Sequence, residues 1–161
     1  MIREVNINDA KAIVKIYNHY IKSSIATFEE EVISEEEIKN RITKVSKDYP
    51  WIVYEENGIV SGYAYATRWK DRNAYRFTAE IAVYVENGNE GKGIGTELLK
   101  NLIELSNKKG LNKLMAGIAI PNEASIALHE RFGFEKCAHF KQSGYKFGKW
   151  IDVGYWEKIL V

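Results

Sequence analysis

The sequence of 161 residues holds one cysteine, Cys137, so no disulfide can close within the chain and no paired-thiol metal site can form. Its three histidines, His19, His129 and His139, are scattered and fit no metal-ligating pattern, so no metal is expected. Neither sign of charge dominates. Lysine and arginine total 23 against 22 acidic residues, which leaves +1 and removes the electrostatic case for nucleic acid or an anionic membrane as main partner. No apolar run approaches the ~20 residues needed to cross a bilayer. The start, Met1 to Asn6, lacks the basic region and apolar run of a signal peptide, and the cytoplasm is the expected compartment. No repeat, linker or low-complexity tract interrupts the chain. With 45% hydrophobic and 28% charged residues, it reads as one domain spanning residues 1–161.

Hydrophobic spacing supplies the elements. Ile2, Val5 and Ile7 read as a strand, Asn8-Asp9 as a cap, and Ile13, Ile16, Tyr17, Tyr20 and Ile21 as the buried face of a helix. Ser34 with Glu37 forms a capping box for a second helix through Ile38, Ile42 and Val45, which Tyr49-Pro50 stops. Trp51 to Glu55 and Ile59 to Thr67 flank Asn57-Gly58, a strong hairpin signal. Tyr75 to Val85 is expected as a long strand with Phe77, Ala79, Ile81, Val83 and Val85 on one face. Glu80 then stands on the other, an acid in the middle of a central strand. Gly91, Gly93 and Gly95 lead into a helix that Gly110 closes. A strand over Lys113 to Ile120, a helix capped by Asn122, and strands over Phe134 to Phe140 and Trp150 to Leu160 complete the chain. The order βααβββαβαββ implies an α/β (α+β) fold, a mixed twisted sheet flanked by helices.

Glu90-Gly91-Lys92-Gly93-Ile94-Gly95-Thr96 lies where a strand feeds a helix. Glycines there let backbone amides face a phosphate at the positive helix end, so a pyrophosphate is the expected guest. The run fits neither a P-loop, since Gly93 follows Lys92, nor the dinucleotide pattern, since Leu98 replaces its third glycine. An ordinary glycine-rich turn remains open on this segment alone.

A second segment settles the choice. Asn122 to Phe134, with His129 seven residues after the asparagine and Gly133-Phe134 at its end, resembles the second signature of the GNAT N-acetyltransferase superfamily; the glycine loop resembles the first. Asn18-His19-Tyr20-Ile21, Tyr49-Pro50-Trp51, Trp69 to Tyr75, Thr78-Ala79-Glu80, Val83-Tyr84-Val85 and Asp152 to Trp156 resemble the phosphinothricin and methionine sulfone (sulfoximine) acetyltransferases, across residues 2 to 157. The chain departs from the wider superfamily at Glu90, where that pattern has Gln or Arg, and at His129, where many members carry tyrosine.

The resemblance implies acetyl-CoA as co-substrate and transfer of its acetyl group, in a ternary complex, to the α-amine of a small amino-acid-like acceptor. Glu80 would be the general base, and His129 would protonate the thiolate or share the base role. Val83, Tyr84 and Val85, from a splayed strand edge, would hold the thioester carbonyl. Gly91, Lys92, Gly93, Ile94, Gly95 and Thr96, with Asn122 and Ser125, would bind the coenzyme. Phe28, Lys70, Arg72 and Tyr75 would surround the acceptor. A homodimer is also implied. Peptide or polyamine acetylation, and a non-catalytic coenzyme-sensing module, are the competing readings. Lys141, Lys146 and Lys149 interleave with Phe140, Tyr145, Phe147 and Trp150, superficially a nucleic-acid stacking pattern, but Gly144 to Trp150 resembles the family's hairpin near the end of the chain, where aromatics more often pack a sheet or a subunit contact.

Overall fold

The computed structural model describes all 161 residues. A seven-stranded sheet runs in the order β1-β2-β3-β4-β5-β7-β6, over β1 (Ile2–Glu4), β2 (Trp51–Glu56), β3 (Ile59–Arg68), β4 (Thr78–Val85), β5 (Lys113–Ile120), β6 (Glu135–Lys146) and β7 (Lys149–Ile159). Every neighbouring pair is antiparallel except β4 and β5, which a helical crossover joins in parallel.

Helices cover both faces. On one, α1 (Ala10–Ser23) and α2 (Glu35–Val45) bury Ile13, Ile16, Ile21, Ile38 and Ile42 against Trp51, Val53 and Tyr63. On the other, α3 (Ile94–Lys108) buries Leu98, Leu99 and Leu102 against Ile52, Ala64, Ala79, Ile81 and Leu114. The short α4 (Glu123–Arg131) joins the α3 layer through Ile126, Leu128 and Phe132. Strand alternation divides the two cores: Ile52 faces α3, while Trp51 and Val53 face α1.

The element order matches the sequence reading, with shifts at the ends. β1 stops at Glu4, and the capping starts before Asn8-Asp9: the Asn6 side chain accepts from the Asn8 amide while Asp9, the N-cap residue of the following helix, accepts from the Asn6 amide, around a 3-10 turn over Ile7–Asp9. β4 starts at Thr78 rather than Tyr75. Asn73–Tyr75 is a 3-10 turn, and Phe77 is exposed under the Arg76 guanidinium, 4.4 Å above its ring. Ser34 caps α2 through the Glu37 amide, but Glu37 pairs with Arg41 instead of closing the box. Asn57 and Gly58, at φ 53° and 79°, make the expected hairpin turn. β6 runs six residues past Phe140 to a second hairpin turn, where Phe147 and Gly148 take φ 54° and 71°.

Candidate active site

Alternation along β4 turns Glu80, with Ala82 and Tyr84, toward the α1/α2 side of the sheet. Its carboxylate enters a cavity of about 510 Å³. Met115 and Gly117 of β5 and Tyr155 of β7 line it from the sheet. Trp69 and Lys70 follow β3, Phe28 comes from the α1–α2 connection, and Phe140 and Ser143 come from β6. Gly117 gives the carboxylate its room. A Cβ there would stand 3.2 Å from Glu80 Oε1 and 3.0 Å from the Tyr155 ring. Glu80 makes no hydrogen bond with another protein group. Burial lifts its pKa above the ordinary carboxylate value, and the Lys70 charge offsets part of that rise. A half-buried acid with free oxygens and raised basicity is suited to taking a proton from an ammonium ion.

The ladder joining β4 to β5 is short. Thr78, Ala79 and Glu80 pair with Lys113, Leu114 and Met115, and beyond them the strands part while β5 continues fully paired to β7. The Glu86 amide donates to Ser61 O on the β3 side, so the Tyr84 amide also faces β3. The amides of Val83 and Val85 therefore face the split. Of the three residues expected to hold the thioester carbonyl, these two have donors to offer it. Tyr84 instead packs its ring edge-on against Tyr17 and Tyr20.

The glycine loop lies at the same end of the split. Gly91 and Gly93 take φ of 75° and 83°, a region costly for side-chain-bearing residues, and no protein atom stands within 4 Å of where their Cβ would be. Gly93 is the N-cap of α3 and gives no side-chain cap, so the first-turn amides of Ile94, Gly95 and Thr96 stay free for an anion. Gly95 brings α3 close to Leu128 of α4 and Val85 of β4. Lys92 is held by Asn89 Oδ1 at 2.8 Å. Glu90 turns back to accept the Gly88 amide at 2.7 Å, which ties its charge into its own turn. These features fit a pyrophosphate-bearing coenzyme.

On α4, Asn122 Oδ1 caps the helix by accepting the Ser125 amide, leaving the Asn122 amide nitrogen uncommitted. His129 is buried edge-on to Phe134, and its Nδ1 lies 2.7 Å from Ser125 O. A carbonyl only accepts, which assigns the ring proton to Nδ1 and leaves Nε2 bare in the neutral form. Burial holds its pKa below 6.5. Burial thus favours the neutral ring, whose bare Nε2 is open to a proton. Glu80 and His129 belong to opposite layers, and the β4–β5 split is the opening between those layers.

Phe28, Lys70 and Glu80 thus meet in one cavity, whereas Arg72 and Tyr75 lie exposed on the β3–β4 connection and do not line it. Sequence reasoning missed Trp69, Met115, Gly117, Phe140 and Tyr155 as walls, although Trp69 and Tyr155 sit inside segments that carry the family resemblance. It also missed Arg131, whose guanidinium donates to Thr96 Oγ1 at 3.3 Å and brings a cation to the first turn of α3. No group of three or more His, Cys, Asp or Glu side chains converges as metal ligands.

Comparison with known proteins agrees with this geometry. Residues 2–154 match the family model of the acetyltransferase (GNAT) domain. The chain is 37% identical to the phosphinothricin N-acetyltransferase of Streptomyces viridochromogenes, covering 98% of this chain and 86% of that protein. It is 36% identical to the L-methionine sulfoximine/L-methionine sulfone acetyltransferase of Salmonella typhimurium, covering 99% and 94%. A solved acetyltransferase from Salmonella typhimurium, with its cofactor acetyl-CoA, superposes with a TM-score of 0.98 at 35% identity, covering 100% of this chain and 94% of that one. The open glycine loop, the split strands and these near full-length likenesses place the chain in the GNAT acetyltransferase family.

Proposed function

We propose that the protein transfers an acetyl group from acetyl-CoA to the α-amine of a small amino-acid-like acceptor of the phosphinothricin, methionine sulfone or methionine sulfoximine type. One observation carries the reading. A free, half-buried carboxylate, Glu80, stands in a cavity of about 510 Å³ beside the split, and the free amides of α3 lie at the far end of that split. Acetyl-CoA brings the activated thioester. The amides at the start of α3 hold its phosphates, and Val83 and Val85 donate to its carbonyl oxygen as negative charge develops there. Glu80 takes the proton that frees the acceptor amine, and Lys70, the one cation lining the cavity, receives the acceptor carboxylate. As the C–N bond forms and the C–S bond breaks, His129 takes the remaining proton from the amine nitrogen at its bare Nε2 and returns it to the departing CoA thiolate, so that free thiol and the N-acetylated acceptor leave.

The acceptor class is that named for the relatives, phosphinothricin N-acetyltransferase and L-methionine sulfoximine/L-methionine sulfone acetyltransferase. Arg72 and Tyr75 carry no step in this reading. The exposed aromatics Phe140, Tyr145, Phe147 and Trp150 of β6 and β7 support a homodimer as the working assembly, and the cytoplasm is the compartment we assign. Acetylating the amine of an inhibitory amino acid removes its positive charge, which would make the activity a resistance function.

Free-thiol release from acetyl-CoA, measured over phosphinothricin, methionine sulfone, methionine sulfoximine, polyamines and a lysine peptide, tests the proposal. Saturable turnover on the first three is expected. Turnover confined to the peptide or polyamines would overturn the acceptor assignment, and tight coenzyme binding with no turnover would turn the protein into a sensor.

A further inference from the structure

Lys146 lies in β6, is 1% exposed, and forms no ion pair with any carboxylate. Its ammonium instead donates to two backbone carbonyls, Ser24 O at 2.6 Å and Thr27 O at 2.7 Å, and sits 5.0 Å from the Phe147 ring centre. Burying a lysine this deeply is costly unless its donors are used, and the two carbonyls use them. Both belong to residues 24–34, the stretch joining α1 to α2, which has no helix or strand of its own. Its other ties come from the helices it joins: Tyr17 Oη to Thr27 Oγ1, the Asn18 amide to Ile33, and Arg41 to Glu29. Lys146 ties the segment to the far wall of the cavity, more than a hundred residues away in sequence.

The residue after Thr27 is Phe28. Its ring lies against Gly144, two positions before Lys146 on the same face of β6, so closely that a Cβ on Gly144 would stand 2.4 Å from Cε2 and Cζ. Phe28 is also a wall of the Glu80 cavity. We infer that Lys146 is a positioning residue that docks the Phe28 segment onto β6, thereby setting the size of the acceptor cavity. This inference rests on the reading of that cavity as the acceptor site. Lys146 acts through Thr27 and Phe28 and touches neither substrate.

Lys146→Met keeps the length of the side chain and leaves both carbonyls unmet, so the acceptor KM should rise about 10-fold or more, the scale of a lost buried partner, with kcat and the acetyl-CoA KM nearly unchanged. Discrimination between small and large amino-acid acceptors should narrow at the same time. Lys146→Arg, which retains donors, should recover part of the lost acceptor affinity. Gly144→Ala leaves Lys146 in place and crowds Phe28 directly, and it should raise the acceptor KM in the same way even if the methionine variant does not fold. In a Phe28→Ala background the effect of Lys146→Met should largely vanish, because both act on one wall. A normal acceptor KM in Lys146→Met, or equal rises in both substrates' KM values, would overturn the positioning role while leaving the cavity assignment standing. A normal acceptor KM in Phe28→Ala would overturn the cavity assignment, and the role of Lys146 with it.

Discussion

Replacing Glu80 with glutamine keeps its shape and removes its charge, which separates its chemical effect from its effect on stability. Turnover should fall by ~100-fold or more, the lower range for a positioned acid or base, while affinity for acetyl-CoA stays near that of the parent. The acid limb of the pH-rate profile should lie above that of an ordinary carboxylate, because burial raises the Glu80 pKa, and the limb should disappear in Glu80→Gln. Stability should move the opposite way. A carboxylate whose folded pKa is raised favours the fold most below its ordinary value of 4.5 and loses that contribution as pH rises through the folded pKa. Glu80→Gln should therefore melt above the parent at pH 7, and the gain should vanish near pH 4. Glu80 is legible in the sequence because strand alternation alone puts it opposite the apolar residues of β4. Lys146 is not. It stands in a stretch where the aromatics, not the lysines, read as the packing residues, and only the return of the α1–α2 connection across β6 shows that it is buried.

β3 and α3 are packed through a glycine. A Cβ on Gly62 would lie 2.9 Å from Ile94 Cγ2, 3.0 Å from Leu98 Cδ1 and 3.2 Å from Tyr84 O, so the first turn of α3 rests almost on the β3 backbone. Gly62→Val should destabilise the fold by about 1–3 kcal/mol through overpacking, read as a lower denaturant midpoint. It should also raise the acetyl-CoA KM more than the acceptor KM, because the displaced turn carries the amides proposed to hold the coenzyme phosphates. Element boundaries were legible where local chemistry decides them. Asn57-Gly58 announces the β2–β3 turn, and Asn122 announces α4. The turn closing β6 and β7 is legible only through the family resemblance of Gly144 to Trp150, because its left-handed positions are filled by Phe147 and Gly148, and phenylalanine is no turn signal. The start of β4 was misplaced because Tyr75 and Phe77 look like strand residues, while Arg76 covering the Phe77 ring lets that aromatic stay outside.

Two carboxylates, each held by an arginine close to it in sequence, should make the whole molecule sensitive to acid. Burial opposes the charge of Asp9, but the Arg3 guanidinium and the Asn6 amide outweigh it and hold its pKa below the usual 3.8. Arg41 holds Glu29 below its usual 4.5, with the Tyr17 hydroxyl helping against burial. Depressed pKa values stabilise the fold above the ordinary values and cease to do so as pH falls through the folded ones. The denaturant midpoint should therefore drop steeply below about pH 4, and Arg41→Met should lower it at pH 7 while flattening that decline. The layered architecture was legible from the alternation of helical and strand periods; the split was not, because no residue pattern marks where paired strands part. Only three residue pairs join β4 to β5, so the sheet is two separately bonded panels, β1–β4 and β5–β7, meeting at a crease. A ligand lying in that crease works as a rivet. It adds bonds to both panels and draws the population away from opened forms by mass action. Resistance to proteolysis should then rise and fall with the supply of acetyl-CoA, which would couple the lifetime of the protein to the metabolite it consumes.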